Sequence, residues 1–480
     1  MHMPKPAADH DRLATPRHYP QGRMRRHAEF SQPGALVSSM AMSMNGRTWS
    51  KRFGGSHRRA DRRLAPDRLG TMQPRTRVVA AVLASALTTL APLAAQSTPA
   101  RDTVRLTNGS EVRGRVLRVD KEVVVVRVGS VDRTIRREQV QSFTSVASYH
   151  RELMRIWRDT ATTDAGALLA LATEADQQDL PHEAKLLRWY AVLLRPKDAA
   201  LHAALGNREQ GGRFRVEIDG KWVPFEDADA LGEDFDDAWQ LRSEHFTIRC
   251  AAGLRTGLDT LMELEALYWR FHDLFGQSLQ LLELVEPIDV RLYRTRKQMP
   301  NLSNNVGAYF SQSEPALFTC VENGRPSALV HEATHALLHH FFVRAAKGRG
   351  DLPGWLDEGW AEYMDGLAQT RVPGKLTFLD RSVQPGHLQT LAAAQKHDDL
   401  YGVHRLLNFK SSDFGASSHQ DTKYAQAWAL FRYLFEHPDK TLRAMFIDYL
   451  QEAVAGKGQA SSFRRIFSKQ ERQLETEPWQ

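Results

Sequence analysis

His331-Glu332-Ala333-Thr334-His335 is the stretch of this chain most suited to chemistry, by the residues it holds and the intervals between them. On a helix, residues four apart lie one above the other on the same face. Two imidazoles so placed can hold one Zn²⁺, each at about 2.0–2.1 Å. A glutamate beside the first histidine is then placed to act as general base on a metal-activated water. A five-residue match of this kind arises by chance in roughly a few per cent of chains this long, so the surrounding sequence has to support it.

A helical host is expected. Ala328, Leu329, Val330, Ala333, Ala336, Leu337 and Leu338 are apolar helix formers around the motif, and neither Gly nor Pro interrupts Ser327 to Ala346. A metzincin would place Gly and His at the third and sixth positions after the second histidine. Leu338 and Phe341 stand there, which excludes that class. Further along the chain stands Trp355-Leu356-Asp357-Glu358-Gly359-Trp360-Ala361-Glu362-Tyr363. This segment resembles the gluzincin pattern, and in particular the aminopeptidase-N-like family, in which a second helix supplies a glutamate to the metal. The resemblance implies Glu358 as third ligand and one zinc ion as cofactor. It further implies that Glu362, one turn on, orients a ligating histidine. Tyr424 in Tyr424-Ala425-Gln426-Ala427-Trp428 resembles the oxyanion-donating tyrosine that heads a helix in that family. Gly307-Ala308 matches the start of its substrate-binding strand. The glutamate that would bind a free substrate amine is missing after them, which favours an endopeptidase over an aminopeptidase. Residues 239–475, about half the chain, are similar as a whole to exported bacterial domains of the peptidase MA-like gluzincin group.

Holding these side chains in place takes a framework of strands and helices. Residues 239–475 are expected to form an α+β zincin-like domain, with a mixed sheet and active-site helices. Strands are expected at Phe246–Cys250, Ile288–Leu292, Gly307–Ser311 and Ala316–Val321, and a long amphipathic helix at Leu254–Phe275 closed by Gly276. Ahead of this domain, residues 101–146 alternate around Asn108-Gly109 and Gly129-Ser130, as in a small SH3-like or Sm-like β-barrel. Residues 148–212 repeat apolar positions at helical spacing and read as a short tetratricopeptide-like connector, leading into a loop or hairpin over 213–238.

Residues 1–71 have the composition of a disordered extension. Residues 72–97 have the layout of a secretory signal peptide: Arg75 and Arg77, then apolar Val78 to Leu90, then a small-residue end at Ala94-Ala95-Gln96-Ser97. Met72 is therefore the expected start, and export to the periplasm or beyond the expected destination, with no stable membrane span after cleavage. Residues 1–71 hold fourteen Lys and Arg against five Asp and Glu, and residues 72–97 add two arginines. Residues 98–480 thus carry a formal net charge of −4, against +7 for the whole chain. The basic balance belongs to the leader and gives no support to nucleic-acid binding. Cys250 and Cys320 are open to either reading, a disulfide or two buried thiols.

The sequence reads as an exported zinc metallopeptidase with a peptide or protein substrate and a possible protein partner through residues 101–212. The alternative is a non-catalytic zinc-containing scaffold or binding protein acting through its barrel and helical modules.

Overall fold

The computed structural model describes residues 101–230, 235–300, 307–343, 351–415 and 419–479. The expected extension (1–71) and signal peptide (72–97) lie outside the described residues. The chain has mixed α/β content, with sixteen strands and fourteen α-helices among the described residues. The described residues all fall within one compact unit.

The first five strands are β1 (Asp102–Leu106), β2 (Glu111–Val119), β3 (Val123–Val128), β4 (Val131–Arg136) and β5 (Val140–Thr144), in the order β4-β3-β2-β1-β5. All neighbouring pairs are antiparallel. The first half of β2 pairs with β1 and the second half with β3, and the halves share a core of Val104, Val116, Val124, Val126, Ile135 and Val140. No ladder joins β4 to β5 among the described residues, so the barrel expected from sequence is an open five-stranded sheet. The turn Arg137–Gln139 carries the chain from β4 back to β1, and β5 spends its pairing there.

Four helices come next: α1 (Val146–Asp159), α2 (Ala165–Gln177), α3 (Pro181–Leu194) and α4 (Ala199–Ala204). Asp164 and Asp198 cap α2 and α4 through their side chains. Strands β6 (Arg208–Gln210), β7 (Arg213–Ile218) and β8 (Lys221–Pro224) form a small antiparallel meander.

The sheet behind the site contains β9 (Trp239–Arg242), β10 (Phe246–Cys250), β11 (Ile288–Tyr293), β12 (Ala308–Ser311) and β13 (Ala316–Glu322), in the order β12-β13-β11-β10-β9, with the short β14 (Arg325–Pro326) paired to β13. β10, β11 and β13 run parallel, while β9 and β12 are antiparallel to their neighbours. β10 buries every second residue, the pattern of a strand covered more fully on one face. The covering element is α5 (Leu254–Phe275), which buries Leu254, Leu258, Leu261, Leu264, Tyr268, Phe271 and Phe275 at helical spacing. Its bounds are those read from the sequence.

The motif helix is α6 (Leu329–Leu338), and its α-helical form stops at Leu338. The expected run to Ala346 instead turns π-helical over His339–Val343. Beyond it lie α7 (Gly354–Leu367), the hairpin β15 (Ala368–Val372) with β16 (Lys375–Phe378), then α8 (Pro385–His397), α9 (Val403–Leu406), α10 (Ser411–Gly415), α11 (Gln420–Glu436), α12 (Lys440–Glu452), α13 (Ala460–Ile466) and α14 (Glu471–Leu474). α7 and α11 approach so closely at Gly359 that a Cβ there would stand 2.6 Å from the Ala427 carbonyl oxygen. Trp360 ties this pair to α5 through ring contacts with Phe271 at 5.7 Å and Phe431 at 5.4 Å.

Cys250 and Cys320 are both buried free thiols, which decides against the disulfide. Burial pushes the Cys250 thiol up to about 12. Among the described residues no helix is long and apolar enough to cross a membrane.

Candidate metal centre

α6 buries Leu329, Val330, Ala333, Ala336 and Leu337 on one side and turns His331 and His335 toward α7. Their rings stand 4.9 Å apart. His331 Nε2 and His335 Nε2 are 3.1 Å apart, and each lies 3.4 Å from Glu358 Oε2. An ion held tetrahedrally at about 2.0–2.1 Å would space its donors about 3.3–3.4 Å apart, so the triangle has the right size. Glu358 Oε2 is buried and has no hydrogen-bond partner among the described residues. A cation between the three donors would satisfy it.

The far nitrogen of each ring is also engaged. His335 Nδ1 lies 3.0 Å from Asp357 Oδ1, and His331 Nδ1 lies 3.3 Å from Glu362 Oε1. A proton on Nδ1 suits both carboxylates and leaves the Nε2 lone pairs facing Glu358. The carboxylates draw positive charge into the site. Burial works against charging the two histidines, yet Glu358 and Glu362 around His331, and Asp357 and Glu358 around His335, hold both well above the usual imidazole range. Burial likewise opposes ionising Glu358, but the nearness of His331 and His335 outweighs it and brings the carboxyl down to about 2.

Glu332 faces the other side of the cleft, where its Oε2 accepts the Phe310 N–H at 3.0 Å. A cavity of about 240 Å³ opens here, lined by Tyr309, Phe310, Glu332, His339, Asp357 and Tyr424 together with the three donors. Tyr424 lies one turn inside α11 rather than at its head, with its ring 6.3 Å from that of His331. Burial and the surrounding carboxylates raise its phenol well above the ordinary range, so it stays a hydrogen-bond donor. Gly307 precedes β12 and Ala308 opens it, but the wall facing the cavity is made by Tyr309 and Phe310.

Residues 326–457, which carry all three donors, Glu332 and Tyr424, match the family described as "Protein of unknown function (DUF1570)". No curated protein matches the chain.

A second group with ligand-type side chains, His150, His245 and Glu265, also converges. Its wiring is the reverse of a ligand set. Trp269 Nε1–H donates to His150 Nδ1 at 2.9 Å, which puts the imidazole proton on Nε2, facing Glu183 Oε1 at 3.2 Å. A ligating histidine needs its lone pair on the nitrogen that points inward. This group is a buried hydrogen-bond junction.

Two site residues carry no signal in the sequence that marks them out. Asp357 sits directly before Glu358, and its role depends on which way the α7 side chains face. His387 reaches Glu362 Oε2 at 2.8 Å from a helix 25 residues away, with no ligand-like spacing to mark it.

Proposed function

We propose that the chain is an exported zinc metallopeptidase of gluzincin type that cuts peptide bonds within a chain. The observation that carries this reading is the triangle of His331 Nε2, His335 Nε2 and Glu358 Oε2, with Glu332 beside it on the wall of the same cavity. Two imidazoles and a carboxylate are the donor set of hydrolytic zinc sites that keep a position open. When bound there, zinc supplies Lewis-acid polarisation of the scissile carbonyl and makes water acidic enough to attack near neutral pH.

The chain's own groups do the rest. Glu332 takes the proton of the attacking water and returns it to the leaving nitrogen. The Phe310 N–H holds Glu332 Oε2 in place for this exchange. Tyr424 O–H donates to the oxygen that becomes negative in the transition state. β12 ends the sheet with a free edge among the described residues. Because Phe310 N–H is directed away from β13 at Glu332, the Phe310 carbonyl and the N–H and carbonyl of Ala308, two residues before it, face out of the same edge. An extended peptide can pair there with its backbone drawn across the cavity. The missing amine-binding glutamate supports cleavage inside a chain over removal of an amino-terminal residue.

The deciding experiment is metal analysis together with cleavage of a peptide library. Purified chain is expected to bind about one zinc, and Glu332→Gln to keep the metal while losing cleavage. Wild-type chain that binds zinc yet cleaves no peptide supports the non-catalytic scaffold instead.

A further inference from the structure

Glu362 is a buried carboxylate that has to be aimed. One oxygen, Oε1, faces His331 Nδ1 at 3.3 Å. The other, Oε2, receives two side chains from the start of α8. His387 Nε2 lies 2.8 Å away, and Gln384 Nε2 lies 3.4 Å away while also donating to Asp365 Oδ2 at 3.1 Å. A buried anion is costly unless its lone pairs are taken up, and donors fixed on one oxygen decide where the other points. His387 is itself fixed. Its ring packs on Trp428 of α11 at 5.6 Å, and Trp428 Nε1–H is anchored on Ser382 Oγ at 3.0 Å. An unbroken path therefore runs from α8 through Glu362 of α7 to a ligand-type histidine on α6.

We propose that His387 is a positioning residue for the metal centre: its Nε2–H holds Glu362 so that Oε1 accepts the Nδ1–H of His331, which turns the His331 Nε2 lone pair toward Glu358. This assignment rests on His331, His335 and Glu358 being a metal centre. It predicts that a residue touching neither metal nor substrate tunes metal affinity through one hydrogen bond.

Two variants of the full chain separate that bond from simple packing. His387→Phe keeps a ring against Trp428 and removes the donor. His387→Gln keeps an N–H donor and removes the ring. Zinc affinity is read by competition with a coloured chelator, and site geometry by the visible spectrum of the Co²⁺-loaded protein. His387→Phe is expected to bind zinc about tenfold more weakly with an altered Co²⁺ spectrum, while His387→Gln stays within about threefold of wild type. Wild-type affinity and spectrum in His387→Phe overturn the assignment and leave the metal centre standing. Equal weakening in both variants also overturns it, because the donor is then not the cause. Should His387→Phe fail to fold, His387→Gln decides alone, and a tenfold loss there overturns the assignment. A wild-type chain that binds no zinc overturns this assignment and the metal-centre reading together.

Discussion

Which nitrogen of an imidazole carries the proton separates the two histidine clusters of this protein. At His331 and His335 the Nδ1 positions face Glu362 and Asp357, so the Nε2 positions are free to meet a cation. At His150 a tryptophan N–H occupies Nδ1 and drives the proton to Nε2. Both clusters contain two histidines and a glutamate, so residue type alone does not tell them apart. Tyr424 is the other residue whose role is sharp enough to test singly. Removing one oxyanion donor from a hydrolytic site costs about 10²–10³ in kcat. Tyr424→Phe is expected to lower kcat by that order with KM and zinc content little changed. A loss of less than about tenfold would remove Tyr424 from the reaction.

At the scale of elements, the centre is a matter of how closely helices approach. α6 brings the histidines, α7 brings Asp357, Glu358 and Glu362, α11 brings Tyr424, and α8 buttresses Glu362. Gly359 allows α7 and α11 to touch, since any Cβ would meet the Ala427 carbonyl at 2.6 Å, and backbone cannot step aside as a side chain can. Gly359→Ala is therefore expected to destabilise the fold by about 1–3 kcal/mol. Because Glu358 is the preceding residue, zinc affinity should fall with it. Denaturant unfolding and chelator competition measure the two effects, and a variant matching wild type in both would mean that the helices can separate freely. The π-helical turn after α6 serves the same packing: it places Phe341 against Phe271 at 5.8 Å and Tyr268 at 6.1 Å, tying the end of the motif helix to α5.

Across the whole molecule, a buried polar junction joins the amino-terminal sheet, the helical connector and the site-bearing sheet. Arg115 of β2 and Arg101 meet Glu244 at 2.6 and 3.0 Å. Glu183 of α3 accepts the Glu244 N–H at 2.7 Å, and Glu265 of α5 accepts both N–H groups of His245, at 2.8 Å from the backbone and 2.7 Å from the ring. Burial opposes ionising Glu244, but Arg115 and Arg101 outweigh it and bring the carboxyl down to about 2. Burial opposes charging His245 as well, yet Glu265 and Glu283 lift it to about 10. Proton linkage sets the sign of each effect. Glu244 contributes stability above its ordinary 4.5, lost as pH falls toward about 2. His245 contributes stability that is complete below its ordinary 6.5 and is lost as pH rises toward about 10. The stability contributed by this junction is thus expected to be fullest between pH 4.5 and 6.5, and Glu244→Gln to flatten the acid side of the melting profile. An acid limb of the melting profile that is identical in Glu244→Gln would show that the junction does not govern it.

Local features were legible in the order of the residues alone. The period-two strands β10 and β11, the 3.6-residue pattern of α5, and the His-Glu-x-x-His spacing on a helix all depend on near neighbours in the chain, and they are found where the pattern puts them. The pairing of Glu358 with the two histidines was readable through its resemblance to a known segment. Whatever depends on several elements meeting had to wait for the folded chain. The open edge between β4 and β5 is one case, since strand alternation says nothing about closure. The choice of Nδ1 partners is another in part: the resemblance implied Glu362, but Asp357 and His387 act through side-chain direction and through helices far apart in sequence. The reversed proton at His150 is a third, since a tryptophan 119 residues away sets it.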